Sequence, residues 1–265
     1  MSVAEDGGTG HPALAVGVKR LIVNADDFNL SPGVSRGIFE AAAAGVLTST
    51  TVMINLPADN EILRDLRGSS LGVGLHLNLT FGAPVLPAWE VRSLVDGDGW
   101  LLRDPKGVAA RAEPGEAARE LRAQVEKFTA VVGRLPTHLD SHHFLHRYSP
   151  IREIVLDLAA ELGLPMRADQ PDLRVDAQER GLRIPDHFMG DATEEAYWTE
   201  ARLRWALARI SDGVTELMCH PGYNDVPWSR YSHQREVELR ALTTPGLRTL
   251  LQDHGVDLIH FGALA

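Results

Sequence analysis

From Lys19 onward, short apolar runs alternate with longer segments in which apolar residues recur every three or four positions. Parallel strands joined by helices produce this rhythm. The apolar run from Leu21 to Ala25 suits a strand covered on both faces. Ser31-Pro32 supplies an N-cap and a first-turn proline, Val34, Ile38, Phe39 and Ala42 share one helical face, and Gly45 is the stop signal. The same reasoning predicts strands over 48–56, 71–79, 136–140, 164–168, 215–219 and 256–261. Helices are predicted over 58–67, 113–132, 151–162, 193–210, 232–242 and 244–254. The helix over 113–132 is strongly amphipathic, with Ala117, Leu121, Val125 and Phe128 on one side. Residues 80–111, with their prolines and Asp96-Gly97-Asp98-Gly99, break the rhythm and read as an insertion with a short hairpin. Residues 169–190 carry no clear period, although 182–184 is a candidate strand.

About seven strands separated by helices give an α/β fold, a parallel β/α barrel. Polar residues stand at the predicted strand ends: Asp26-Asp27, His76, Asp140 to His142, and His220. A barrel gathers such positions at one mouth, because the loops after its strands converge on one face.

The chain has 265 residues, 44% of them hydrophobic, enough for one large core. Residues 1–18, small and polar at their start, read as a flexible tail, and 19–265 as a single domain. A formal net charge of -10 argues against nucleic acid and anionic membranes as partners, since both attract basic surfaces. No signal or membrane-spanning segment is visible. The lone cysteine, Cys219, suits a reducing compartment, so the expected location is the cytoplasm. It reads as a buried structural thiol.

Carboxylate and imidazole groups from distant segments form the ligand set of hydrolytic metal sites. Asp26 and Asp27 can divide the work, one binding a cation and the other accepting a proton. In the run from Gly72 to Thr80, His76, Asn78 and Thr80 alternate with leucines and share one strand face. The segment Pro136–His146 holds four histidines. His142 and His146 have helical spacing, whereas His138, Asp140 and His142 alternate as in a strand, so periodicity does not choose the ligand. Those that do not bind metal are expected to contact substrate or orient the ligand. His220, before a Pro-Gly turn, is a candidate proton donor.

Five segments in order resemble the YdjC/ChbG-like carbohydrate deacetylases. They are Leu21 to Phe28, Gly45 to Thr51, Gly74 to Leu77, Pro136 to His143, and Met218 to Pro221. The resemblance implies a distorted β/α barrel that removes acetyl groups from N-acetylated sugars with a divalent metal, commonly Mg2+, Zn2+ being an alternative for histidine ligands. It implies Asp27, His76 and His142 as metal ligands, Asp26 as general base and His220 as general acid. Arg167 would hold the base ionised or contact substrate. Substrate contacts are expected from His143, His146, Asn78 and Phe28, and a homodimer is expected by the same resemblance. Asn29 stands where the family usually has glycine, and Phe144 where it often has a third histidine. The competing readings are a non-catalytic carbohydrate-binding barrel and a metal hydrolase of another amide or of a phosphoester. Intact base and ligands count against the first, and motif segments without basic residues against phosphoester work.

Overall fold

The computed structural model describes residues 17–264, so all but two residues of the expected tail lie outside the described residues. In chain order the elements are β1 (Lys19–Phe28), α1 (Pro32–Ala44), β2 (Ser49–Val52), α2 (Asn60–Gly68), β3 (Gly72–Leu77), α3 (Pro105–Arg111), α4 (Pro114–Val132) and β4 (Leu139–Ser141). They continue with α5 (Ile151–Leu162), α6 (Pro171–Glu179), β5 (His187–Met189), α7 (Glu200–Leu207), β6 (Gly213–Cys219), α8 (His233–Leu242), α9 (Leu247–Asp253) and β7 (Val256–Leu258).

All seven strands pair in parallel, in the order β4-β3-β2-β1-β6-β5. β6 runs beside Lys19–Ala25 of β1, β7 pairs with its first residues, and β2 with its last. The sheet curls into an open, distorted β/α barrel. Between its edges β4 and β5, the predicted strand over 164–168 contributes one parallel bridge, Leu139 to Met166. Pro165 has no N–H to give a ladder and serves only as acceptor, from Leu139 N at 3.0 Å. The 182–184 segment stays outside the sheet and supplies Arg183 O as acceptor for Met166 N at 3.1 Å.

β1 is buried on both faces. Leu21, Val23 and Ala25 join the main core, while Ile22 packs with Val214 and Phe261. Phe261 stacks on His138 with ring centroids 3.8 Å apart. Gly74 makes room for that imidazole, since a Cβ there would lie 2.3 Å from His138 Cε1.

Helix ends follow local chemistry. Ser31 Oγ accepts from Val34 N at 3.0 Å to start α1, and Gly45 ends it at φ 118°. The helix predicted over 193–210 begins only at Glu200. Trp198, buried, donates its indole N–H to Met218 O at 2.7 Å, which holds the preceding segment off the helix axis, and Thr199 caps α7. Within 80–111, Asp96 Oδ1 accepts from Asp98 N and Trp100 N, both at 3.0 Å, closing a turn with one antiparallel bridge, Val95 to Leu101. The short α3 that follows is started by Asp104 and Pro105.

Candidate metal centre

The site begins with a defect in β1. Its register against β2 slips between Ala25 and Phe28, and Asp27 and Asn29 adopt left-handed backbone, φ 67° and 74°. Neighbouring residues of a regular strand face opposite ways, and a bulge re-aims them. Asp26 and Asp27 consequently both address the barrel mouth. Asn29 tolerates the left-handed conformation better than other residues with a side chain. Its N–H donates to Ser35 Oγ at 3.1 Å and its amide to Met53 O at 3.0 Å, so the residue replacing the family's glycine braces the loop.

Asp27 Oδ1 lies 3.2 Å from His76 Nε2 and 2.9 Å from His142 Nδ1. It is buried without a hydrogen-bond partner, because neither imidazole has the alignment of a donor. The three atoms crowd one point instead of bonding each other. On its far side, Asp27 Oδ2 accepts from Arg235 Nη2 at 2.6 Å. Burial opposes ionisation of Asp27, yet His142 and Arg235 outweigh it and hold the carboxyl well below its usual range.

His76 and Asp140 are paired across the β3–β4 ladder. His76 Nδ1 donates to Asp140 Oδ1 at 2.7 Å, and Thr51 Oγ1 donates to Asp140 Oδ2 at 3.0 Å. The bond from Nδ1 to Asp140 fixes the ring and turns Nε2 toward Asp27, the arrangement that orients histidine ligands in metal sites. Burial depresses the His76 imidazole, but Asp140, with Asp27 and Asp26, overrides it and raises the pKa to about 10. The pocket thus demands positive charge at Nε2, which a proton or a cation can provide. A buried, unpartnered carboxylate oxygen beside the imidazole nitrogens of buried His76 and half-buried His142 fits a divalent metal ion.

Asp26 is finished differently. Arg167 Nη1 and Nη2 donate to its two oxygens, each at 2.7 Å, and Asn24 Nδ2 adds a bond at 2.9 Å. Arg167, fully buried, also bonds Glu216 through Nε at 2.8 Å and approaches Asp140 at 3.1 Å. His220 Nε2 stands 4.0 Å from Asp26 Oδ2. Its backbone N donates to Glu238 Oε2 at 2.5 Å, and Glu238 Oε1 also accepts from the Tyr231 hydroxyl at 2.5 Å. Burial pushes the His220 pKa down to about 4, against the pull of Asp26 and Asp27.

The fold therefore brings Asp26, Asp27, His76, His142, Arg167 and His220 to one mouth. His143 lies beside them, exposed, its ring 3.9 Å from that of His142 and its Nδ1 3.0 Å from Thr80 Oγ1. Three expected substrate contacts need correction. Phe28 is buried in the core, edge-on to Phe39. Asn78 is buried, donating to Asn55 Oδ1 at 2.9 Å and to Phe81 O at 2.7 Å. His146 is buried between Ser141 Oγ, 2.6 Å from Nδ1, and Asp169 Oδ1, 3.1 Å from Nε2. There it braces the turn in which His143 and Phe144 take left-handed backbone. Phe144 itself lies under the Arg147 guanidinium, 3.7 Å away, outside the ligand cluster. Sequence reasoning missed Thr51, Glu216, Arg235 and Glu238, and gave Asp140 no role of its own. Strand register against His76 is the signal that could have found Asp140, but nothing local marks Arg235 on α8.

Comparison with known proteins gives the chain a family and a fold. The family described as YdjC-like protein matches residues 20–253. A carbohydrate deacetylase of Geobacillus stearothermophilus is 40% identical over 245 residues, covering 91% of this chain and 96% of that one. A chitooligosaccharide deacetylase of Yersinia enterocolitica is 38% identical, covering 91% and 97%. A crystal structure of an Enterococcus faecalis V583 protein, assigned to cellobiose-phosphate cleavage, superposes with TM-score 0.84 at 30% identity, covering 94% and 99%. A family 4 acetyl xylan esterase from Clostridium thermocellum, solved with cobalt, shares the fold at TM-score 0.52 and 12% identity. The chain belongs to the YdjC-like protein family.

Proposed function

We propose that this chain is a metal-dependent carbohydrate deacetylase that hydrolyses the acetamido group of N-acetylated sugars. The observation that carries the reading is the bare oxygen of Asp27, buried against two imidazole nitrogens beside a second, fully paired carboxylate. The similarity to the Geobacillus carbohydrate deacetylase and the Yersinia chitooligosaccharide deacetylase supports it.

Asp27, His76 and His142 would hold the cation, which when bound polarises the amide carbonyl and the attacking water. Asp26 accepts the proton that water loses as it attacks. Arg167 fixes the plane of that carboxylate by its two-pronged contact, so the base is aimed before substrate arrives. His220, neutral at rest because burial lowers its pKa to about 4, lies 4.0 Å from Asp26. It can pass the proton gained there to the departing sugar amine. The products are acetate and the sugar's ammonium group, which ends with both protons of the water, and the base returns to its starting state.

The resemblance implies magnesium, whereas two nitrogen donors favour zinc by affinity. Metal analysis of purified protein decides between them. A homodimer and a cytoplasmic location belong to the same proposal. A reducing compartment is supported by the buried free Cys219, and among the described residues no helix is long and apolar enough to cross a membrane. Purified protein loaded with magnesium or zinc should release acetate from an N-acetylglucosamine disaccharide and stop when the metal is chelated. Absence of acetate from every acetylated sugar tried would overturn the reading, and turnover of phosphoesters instead would replace it.

A further inference from the structure

An exposed aromatic surface beside the metal centre is not used by the chemistry above. Trp228 leaves 47% of its surface exposed, yet its ring lies flat on Phe81, centroids 4.8 Å apart and planes 12° from parallel. Phe81 in turn meets the His142 ring edge-on at 6.3 Å. The two aromatics come from separate loops, one after β3 and one between β6 and α8, both leaving the strand ends that form the mouth.

Single exposed tryptophans are ordinary surface. Trp89 and Trp100, at 68% and 55% exposed, are of that kind, and neither stacks on another ring among the described residues. Trp228 differs in being held. Ser229 N donates to the carbonyl of buried Val226 at 2.9 Å, and Ser229 Oγ to Tyr231 O at 3.2 Å. The turn is further tied down by the Tyr231 hydroxyl on buried Glu238. Arg103 lies 5.3 Å from the Phe81 ring, adding to the contacts of the stack. The result is a rigid aromatic surface two ring contacts from a candidate metal ligand.

We propose that Trp228, backed by Phe81, is the platform for the sugar ring next to the one that loses its acetyl group. The proposal rests on the deacetylase reading. A pyranose presents a face of C–H bonds that packs on an aromatic ring, removing apolar area from water while its hydroxyls stay solvated at the rim. A rigid platform costs little ordering on binding. The reacting ring would meet the metal group, and its neighbour would lie over Trp228.

The test compares acetate release from N-acetylglucosamine and from its disaccharide by metal-loaded wild type, Trp228→Ala and Trp228→Tyr. In Trp228→Ala, the preference for disaccharide over monosaccharide in kcat/KM should shrink about tenfold, with the loss carried by the disaccharide KM. Trp228→Tyr, which keeps an aromatic face, should restore most of it. Where the monosaccharide is not turned over, the disaccharide KM is itself the readout, and a tenfold rise is expected. An unaltered disaccharide KM in Trp228→Ala overturns the platform, as does an equal loss on both sugars. Wild type releasing no acetate from any acetylated sugar defeats the deacetylase reading and the platform with it.

Discussion

Asp26 and Asp27 are adjacent in the chain, equally buried at 3% exposure, and each faces an arginine, yet the two carboxylates are completed in opposite ways. Arg167 covers both oxygens of Asp26. Arg235 covers one oxygen of Asp27 and leaves the other bare between two imidazoles. A buried charge must be paired to be tolerated. At Asp26 the pairing is complete within the chain, and at Asp27 one oxygen is left open to a cation. The wider cluster around Arg167 follows the same logic. Burial pushes Glu216 up to about 8 despite the pull of Arg167, with Asp26 and Asp140 adding to the rise, so this third carboxyl stays protonated near neutral pH. Arg167 and that proton account for two of the three carboxyls there, and His76, its pKa raised to about 10, faces the third, Asp140.

The sharpest way to break this contrast is to remove one side of it. His76→Ala or Asp27→Asn should abolish stoichiometric metal and bring acetate release to background, read by metal analysis and an acetate assay. Retained metal in either variant would move the ion elsewhere. Asp26→Asn should do the reverse and keep the metal while losing about 100-fold or more of kcat, the scale of general-base catalysis. Near-normal turnover would strip Asp26 of its role.

How far the sequence carries such a contrast depends on the range of the forces that build it. β1, α1 and α5 are legible because apolar period, capping residues and helix length are local properties, and α5 covers the predicted 151–162. The candidate ligands are legible because carboxylate and imidazole at strand ends converge in a parallel barrel. Arg235 is not legible. It lies 208 positions from Asp27 on α8, where a charged residue reads as solvent-facing in the sequence. The alternating His76, Asn78 and Thr80 show the opposite failure. Their polar face serves hydrogen bonds inside the fold at Asn78, and only His76 reaches the metal group. Trp198 delays the start of a predicted helix through one indole bond to β6, a contact that periodicity cannot express.

A milder change keeps both carboxylates and alters only what stands behind His76. Asp140→Asn preserves shape but removes the charge that holds the ring, so metal affinity should weaken by about 10- to 100-fold, the usual cost of an outer-shell partner. Competition with a chelator of known affinity measures this. Unchanged affinity would mean that Thr51 and packing alone set the orientation of His76.

The smallest expected effect concerns stability and follows the Asp26 side of the comparison down into the barrel. Asn24 donates to Asp26 and through Oδ1 accepts from His138 Nε2 at 3.2 Å, while Thr137 Oγ1 lies 3.0 Å from His138 Nδ1. That pattern describes a neutral imidazole, and burial against Phe261 lowers its pKa to about 3. A depressed histidine takes up a proton in the unfolded chain before it does so in the folded one. Stability tied to His138 is therefore complete above pH 6.5 and is lost as pH falls toward 3, at up to about 1.4 kcal/mol per pH unit. Denaturant unfolding between pH 4 and 6 should show His138→Gln with a shallower slope than wild type by about one proton. Equal slopes would mean that His138 already carries its proton in the fold, and that the column beneath Asp26 is charged where its hydrogen bonds describe it as neutral.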